Sequence, residues 1–70
     1  MIEVLTLEEA TERIRAEGMR MSKDTLLGGI QQGVFRFGDC IERGNGKAPW
    51  CYIYANKLEA WIEDKQTAAL

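Results

Sequence analysis

The sequence predicts a small α+β domain in which three helices accompany one β-hairpin. Helix-capping residues occur at three places, and apolar residues follow each of them at helical spacing. Between the second and third helical segments lies a stretch rich in β-branched and aromatic residues, which Asn45-Gly46 interrupts as a hairpin turn would. A chain of 70 residues makes one domain with a thin core, expected at residues 1–65 and followed by a frayed tail at 66–70.

The first helix is predicted at residues 7–17. Thr6 and Glu9 have the spacing of a capping box, in which each side chain accepts a hydrogen bond from the other residue's backbone amide. Gly18 is typical of the position that follows a helix. The apolar stripe of this helix comprises Leu7, Ala10 and Ile14.

The second helix is predicted at residues 23–32, after a short connector. Ser22 is its expected N-cap, through the Thr25 amide, and Gly33 follows its end. Gly28-Gly29 destabilises a helix by roughly 1 kcal/mol per glycine relative to alanine. Either this helix is marginal, or another group approaches its backbone closely. Its apolar face comprises Leu26, Leu27 and Ile30.

A β-hairpin is predicted from Val34 onwards. Asn45-Gly46 favours a two-residue type I′ turn, because both central residues of that turn have positive φ. Since Pro49 has no amide to donate, a longer loop at residues 43–49 is the alternative. The two-residue turn would pair Asp39 with Tyr52, Cys40 with Cys51, and Ile41 with Trp50.

Some hairpin side chains have two interpretations. Cys40 and Cys51 would be cross-strand neighbours able to form a disulfide, but in a reducing cytosol we expect two small buried thiols. Aromatic rings in this part of the chain can stack on nucleobases, but a domain this small needs them in its core, where we expect them. These rings belong to Trp50, Tyr52, Tyr54 and Trp61.

The third helix is predicted at residues 57–65. Asn56 and Glu59 form a second capping pattern before it, and no helical pattern continues beyond it. Its apolar face comprises Leu58, Trp61 and Ile62.

The predicted element order is helix, short turn, helix, hairpin and helix. This is the order of a winged helix-turn-helix, in which the second helix enters the DNA major groove and the hairpin is the wing. Over about 55 residues the chain resembles the excisionase-like and MerR-like small winged helix-turn-helix DNA-binding family. The resemblance implies a double-stranded DNA-binding protein of a prophage or integrative element, either an excisionase-like recombination directionality factor or a small transcriptional regulator. The similar segments are 7–10, 21–26, 31–38 and 52–62.

The net charge of −2 conceals a pattern along the chain. Residues 1–17 carry −3, residues 18–57 carry +3 and residues 58–70 carry −2. The positive charge therefore falls on the predicted second helix and wing, where a DNA-facing surface needs it.

The candidate DNA contacts lie in that positive region. Lys23 and the helix start would contact phosphate, and the glutamines near the helix end can hydrogen-bond an adenine edge. The cations of the wing tip would reach phosphate or the minor groove, whereas the remaining arginines either extend this surface or pair with Glu17 and Asp39. Each also has the plainer interpretation of a solvated side chain. The set is Arg20, Ser22, Lys23, Thr25, Gln31, Gln32, Arg36, Arg43 and Lys47.

Several functional classes are disfavoured. Without His, a Gly-rich phosphate loop or paired carboxylates, we expect no enzyme, cofactor, metal site or small-molecule substrate. No apolar stretch is long enough for a membrane span, and the first residues lack the pattern of a signal peptide, so we expect a cytoplasmic protein.

Partners beyond DNA follow from the charge. Because each monomer offers few cations, useful affinity would need an integrase or recombinase, or further copies on adjacent sites. The rival interpretation is a protein-interaction module on a winged-helix scaffold that no longer binds DNA. A pI near 5.0 and the scarcity of basic residues on the second helix favour it. A nucleic-acid mimic is a weaker third interpretation, since the acidic residues are too few.

Overall fold

The computed structural model describes residues 1–68, in which three helices pack on a three-stranded antiparallel sheet. The predicted α+β class is confirmed. Strand β1, which the sequence did not reveal, pairs with β3, so the sheet order is β1-β3-β2. The elements are β1 (Val4–Leu5), α1 (Leu7–Ala16), α2 (Lys23–Gln31), β2 (Gly38–Ile41), β3 (Trp50–Tyr54) and α3 (Ala55–Ala68).

The predicted caps of the first two helices are confirmed. Thr6 Oγ1 accepts a hydrogen bond from the Glu9 amide at 3.1 Å, and Glu9 Oε1 accepts one from the Thr6 amide at 2.9 Å. Ser22 Oγ accepts from the Thr25 amide at 3.2 Å. Both helices end one residue earlier than predicted, because the last predicted residue of each is the C-cap.

One core lies between the helices and the inner face of the sheet. The predicted apolar faces of all three helices contribute to it, although Leu27, predicted on the face of α2, is only half-buried and outside the core. Phe37 and Ile53 add the contribution of the hairpin segment, and Met21 adds that of the connector between α1 and α2. The buried residues are Ala10, Ile14, Met21, Leu26, Ile30, Phe37, Ile53, Leu58 and Ile62.

The strand predicted from Val34 begins only at Gly38. Residues 34–37 form turns instead, because the amides of Val34 and Phe35 both donate to the Gly29 carbonyl, at 2.9 and 3.2 Å. This turn lays the Phe35 ring against Gly29 and beside Phe37 and Trp61. Of the two explanations for the glycine pair, close approach to the backbone therefore applies at Gly29.

The predicted register of the hairpin is confirmed. Cys40 pairs with Cys51, and both flanking pairs match. Asn45 and Gly46 have φ values of 50° and 73°, and the Lys47 amide donates to the Gly44 carbonyl at 3.0 Å, which closes the turn. Strand pairing nevertheless stops at Ile41 and Trp50, so the connection is a loop of residues 42–49 with this turn at its tip.

Cys40 and Cys51 form a disulfide, so the prediction of two free buried thiols was wrong. Their side chains are half-buried beside the core. The register explains the bond, since the two residues are direct cross-strand partners on the same face of the sheet.

Helix α3 begins and ends outside its predicted bounds of 57–65. It starts at Ala55, directly after β3, because the Ala55 amide donates to the Glu3 carbonyl at 2.9 Å. Asn56 is therefore in the first turn and not the N-cap. The helix continues through the first part of the predicted tail to Ala68, and the rest of that tail, 69–70, lies outside the described residues.

Candidate nucleic-acid interface

The amino end of α2 presents Ser22, Lys23 and Thr25 to solvent. Ser22 Oγ is occupied locally, since it caps the helix and donates to Thr25 Oγ1 at 2.8 Å. Lys23 Nζ lies 3.2 Å from Glu8 Oε1, and both side chains are exposed. Such an exposed pair is weak, so Lys23 can exchange Glu8 for a phosphate at little cost.

The hairpin loop, residues 42–49, carries the exposed Arg43 and Lys47 on either side of its turn. The Arg43 guanidinium lies over the Trp50 ring, 5.8 Å from the ring centre. Trp50 also lines a groove of about 310 Å³ together with Glu8 and Lys23. The structure therefore brings the start of α2 and the base of the hairpin loop to one edge of the molecule.

The carboxyl end of α2 is a separate part of the candidate surface. Gln31 and Gln32 are exposed there, and eight residues of helical rise separate Gln31 from Lys23 by about 12 Å along the axis. A methyl group added to Gly28 would meet no atom within 4 Å, so the backbone of α2 is accessible between these two ends.

Arg20 and Arg36 do not make the ion pairs considered for them. Glu17 is held by Arg13, and Asp39 accepts a hydrogen bond from the Tyr54 hydroxyl at 2.9 Å. Arg36 lines a different groove, with Lys57 and Trp61 of α3. The structure thus places Arg36 beside α3, away from the groove that contains Lys23.

Arg13 joins α1 to α3. Its Nε and Nη2 donate to the two Glu59 carboxylate oxygens, both at 2.7 Å, and its Nη1 donates to Glu17 Oε1 at 2.6 Å. Gln66 donates to the second oxygen of Glu17 at 2.7 Å. These hydrogen bonds hold the pKa of Glu17 below its ordinary value, and they raise the pKa of Arg13 above its ordinary value. Both side chains therefore stay charged. Sequence spacing indicates only the Arg13–Glu17 pair, four residues apart on one helix.

The placement of the aromatic rings corrects the expectation that all four belong to the core. Trp61 packs against the core, but Trp50 and Tyr52 are 52% and 39% exposed. Tyr54 is half-buried, and its hydrogen bond to Asp39 raises the pKa of its phenol. Alternation along β3 explains this: Ile53 faces the core and the half-buried Cys51 lies on the same face, so the aromatic residues at the alternate positions 50, 52 and 54 face outward.

That period-2 pattern is visible in the sequence, and it could have identified the outward rings. Because one face of β3 supplies Ile53 to the core, the other face of the same strand must carry all three aromatic residues. We call this second face, formed by Val4, Asp39, Ile41, Trp50, Tyr52 and Tyr54, the outer sheet face.

Within residues 1–68, no helix is both long and apolar enough to cross a membrane. The same part of the chain contains no group of three or more His, Cys, Asp or Glu side chains arranged to hold a metal ion. No protein-family model, curated protein or solved structure matches the chain.

Proposed function

We propose that this protein binds double-stranded DNA as a winged helix-turn-helix. Helix α2 would lie in the major groove, and the hairpin loop would be the wing that contacts the flanking backbone. Within that class, the proposal is an excisionase-like directionality factor or a small transcriptional regulator of a mobile element. It would bend or mark DNA and recruit a partner, without performing a reaction.

One observation carries the proposal, namely that cations from two separate elements share an edge. Lys23 at the start of α2 and Arg43 in the hairpin loop both lie beside Trp50. A helix start followed by a cationic loop is the arrangement with which such proteins hold two neighbouring stretches of phosphate backbone. Lys47, across the turn from Arg43, is exposed as well and adds a second cation to the hairpin loop.

The side-chain amides of two glutamines at the carboxyl end of α2 can recognise DNA base edges. Gln31 and Gln32 are exposed at the end of α2, and a bidentate glutamine–adenine pair discriminates by about 1–3 kcal/mol. Gly28 leaves room for the DNA backbone or a base edge to approach the helix. Phosphate attraction is limited by the few cations, so we propose that an integrase, a recombinase or further copies on adjacent sites complete the binding.

Binding to a random duplex pool at about 50 and 200 mM salt tests the proposal, with sequencing of the retained DNA. The decisive comparison is R43Q/K47Q against R15Q/K65Q, which has the same net charge but loses its cations from α1 and α3. We expect R43Q/K47Q to weaken binding and to lower the salt slope by about 2, with no comparable change in the control.

A third variant is expected to act in the opposite direction. E8Q removes the carboxylate beside Lys23, so duplex affinity should rise modestly. Equal effects of the two double variants would contradict the proposed surface. Absence of binding at low salt by folded protein would overturn the function and favour the protein-interaction module.

A further inference from the structure

The outer sheet face leaves a row of aromatic and apolar side chains exposed. Trp50, Tyr52 and Tyr54 occupy alternate positions of β3, and their cross-strand partners on this face are Ile41, Asp39 and Val4. Ile41 is 56% exposed and Val4 is 46% exposed, in addition to Trp50 and Tyr52. On the opposite face, Ile53 is completely buried. The outer sheet face is therefore a surface without a partner in residues 1–68, and not part of the core.

The rings of this row are held in place, and those of Trp50 and Tyr52 are exposed. Trp50 and Tyr52 have ring centres 6.2 Å apart and an interplanar angle of 64°, so neither lies flat on the other. The hydrogen bond from the Tyr54 hydroxyl to Asp39 fixes the third ring. Rings that are pre-positioned in this way lose little side-chain entropy when a flat partner stacks on them.

A cationic side chain lies at each end of the row formed by Trp50, Tyr52 and Tyr54. Arg43 lies 5.8 Å from the centre of the Trp50 ring, and Lys57 Nζ lies 5.5 Å from that of Tyr54. The strand rise between residues 50 and 54 separates these two ends by about 13 Å. A row of rings with a cation at each end complements a chain of flat bases linked by phosphates.

A second copy of the chain fits this surface poorly. In a two-fold contact between two outer sheet faces with antiparallel strands, the Arg43 end of one row would meet the Lys57 end of the other. Like charges would then face each other across an apolar contact, which is destabilising. The two terminal cations thus favour a polyanion as the occupant, while the Asp39 carboxylate between them accepts a hydrogen bond from the Tyr54 hydroxyl.

We infer that the outer sheet face binds single-stranded nucleic acid, with two or three unpaired bases stacked on Trp50, Tyr52 and Tyr54. Sheets with exposed aromatic residues take two or three bases in this manner. Arg43 and Lys57 contact the phosphates at the two ends. This activity goes beyond duplex binding and does not depend on it.

The test uses the intact protein and a fluorescent oligothymidylate of about 12 nucleotides at about 50 mM salt. We expect W50A/Y52A to weaken binding at least about tenfold, because each base–ring contact contributes substantially. The matched control, M19A/V34A, removes two exposed apolar side chains elsewhere on the surface and should bind as the wild type does. Thermal unfolding of each variant establishes that it is folded.

An abasic oligomer of the same length separates stacking from phosphate attraction. It should bind much more weakly than oligothymidylate, and it should not quench tryptophan fluorescence. Equal binding of the two oligomers would overturn the inference, as would failure of the folded protein to bind oligothymidylate. So would a dimer in sedimentation experiments that W50A/Y52A converts to monomer.

Y52A alone distinguishes this inference from the proposed duplex function, since Arg43 lies over Trp50 and the groove that contains Lys23 is lined by Trp50 and not by Tyr52. We expect Y52A to reduce binding of oligothymidylate and to leave duplex binding unchanged. A protein that binds oligothymidylate but no duplex would overturn the proposed function and support the inference.

Discussion

Gly28 and Gly29 are consecutive in α2 but have different surroundings. A methyl group at Gly28 would meet nothing within 4 Å, whereas one at Gly29 would clash with the Phe35 ring. The Phe35 ring cannot easily move aside, because it contacts the rings of Phe37 and Trp61. The glycine at 29 is therefore required by packing within the domain, whereas the glycine at 28 is not, and it weakens the helix.

Alanine substitutions at the two glycines should have opposite effects on stability. G28A should raise the free energy of unfolding by about 0.5–1 kcal/mol, since it improves helix propensity without a clash. G29A should lower it by about 1–3 kcal/mol, because the aromatic contacts must shift. Urea denaturation measures both, and each variant is the control for the other. Destabilisation by both would contradict the open surroundings of Gly28.

The sequence predicted part of this arrangement. A Gly-Gly pair inside a helix indicates either a weak helix or the close approach of another group to its backbone. The first explanation applies at Gly28 and the second at Gly29. The identity of the approaching ring could not be predicted, because Phe35 was expected in a strand that would have carried it away from α2. The turn at 34–37 depends on backbone hydrogen bonds to Gly29, which have no signature in local residue preferences.

At the scale of elements, α1 and α3 are joined through Arg13. The fork of Arg13 binds Glu59 on α3 and Glu17 at the end of α1, while Gln66 binds Glu17 from α3. Because the pKa of Glu17 is lower in the folded protein than its ordinary value of 4.5, its carboxylate stabilises the fold fully above about pH 4.5. That contribution is lost as the pH falls through the folded-state pKa.

E17Q should therefore remove a pH-dependent part of the stability. The difference in unfolding free energy between wild type and E17Q should be largest near neutral pH and should shrink below about pH 4.5. Urea denaturation at several pH values measures it, and E12Q, on the same helix, controls for loss of one carboxylate. A difference that does not change with pH would contradict the lowered pKa.

The element boundaries show which signals are local. The ends of α1 and α2 were predicted to within one residue, since Thr6, Ser22 and nearby glycines determine them from within a few positions. The start of α3 was missed, because the Ala55 amide is bound by Glu3, far away in the sequence. Strand β1 was also missed. Its partner β3 is far away in the sequence, and its two residues are too few to show a period-2 pattern.

At the scale of the whole molecule, the Cys40–Cys51 disulfide is the one covalent restraint on the hairpin loop. It closes a loop whose ends are 11 residues apart in sequence. Chain-entropy estimates for a loop of this size give about 3 kcal/mol of stabilisation. The same bond fixes the base of the loop that carries Arg43 and Lys47.

Reduction should accordingly lower the stability of the protein. We expect a thiol reductant to shift the urea midpoint of the wild type downward, corresponding to a loss of up to about 3 kcal/mol. C40S/C51S should resemble the reduced protein, and its midpoint should not respond to the reductant. Equal midpoints for wild-type protein with and without reductant would show that the disulfide contributes nothing.

The candidate site was predictable only in part. The exposed positions at 23, 31, 43 and 47 follow from helix faces and from the hairpin turn. The shared edge of Lys23 and Arg43 depends on how α2 packs against the hairpin, which no local pattern encodes. The outer sheet face was misjudged because aromatic residues were assigned to the core by type, without regard to the alternation that β3 imposes.

The pairing of β1 with β3 has a consequence for the order of folding. Val4 pairs with Tyr54, whereas the hairpin joins Cys40 to Cys51, so the hairpin closes a loop about one fifth as long. The longer closure is disfavoured by roughly 1 kcal/mol of additional chain entropy. We therefore expect the hairpin to form earlier and β1 to be among the last parts of the sheet to pair.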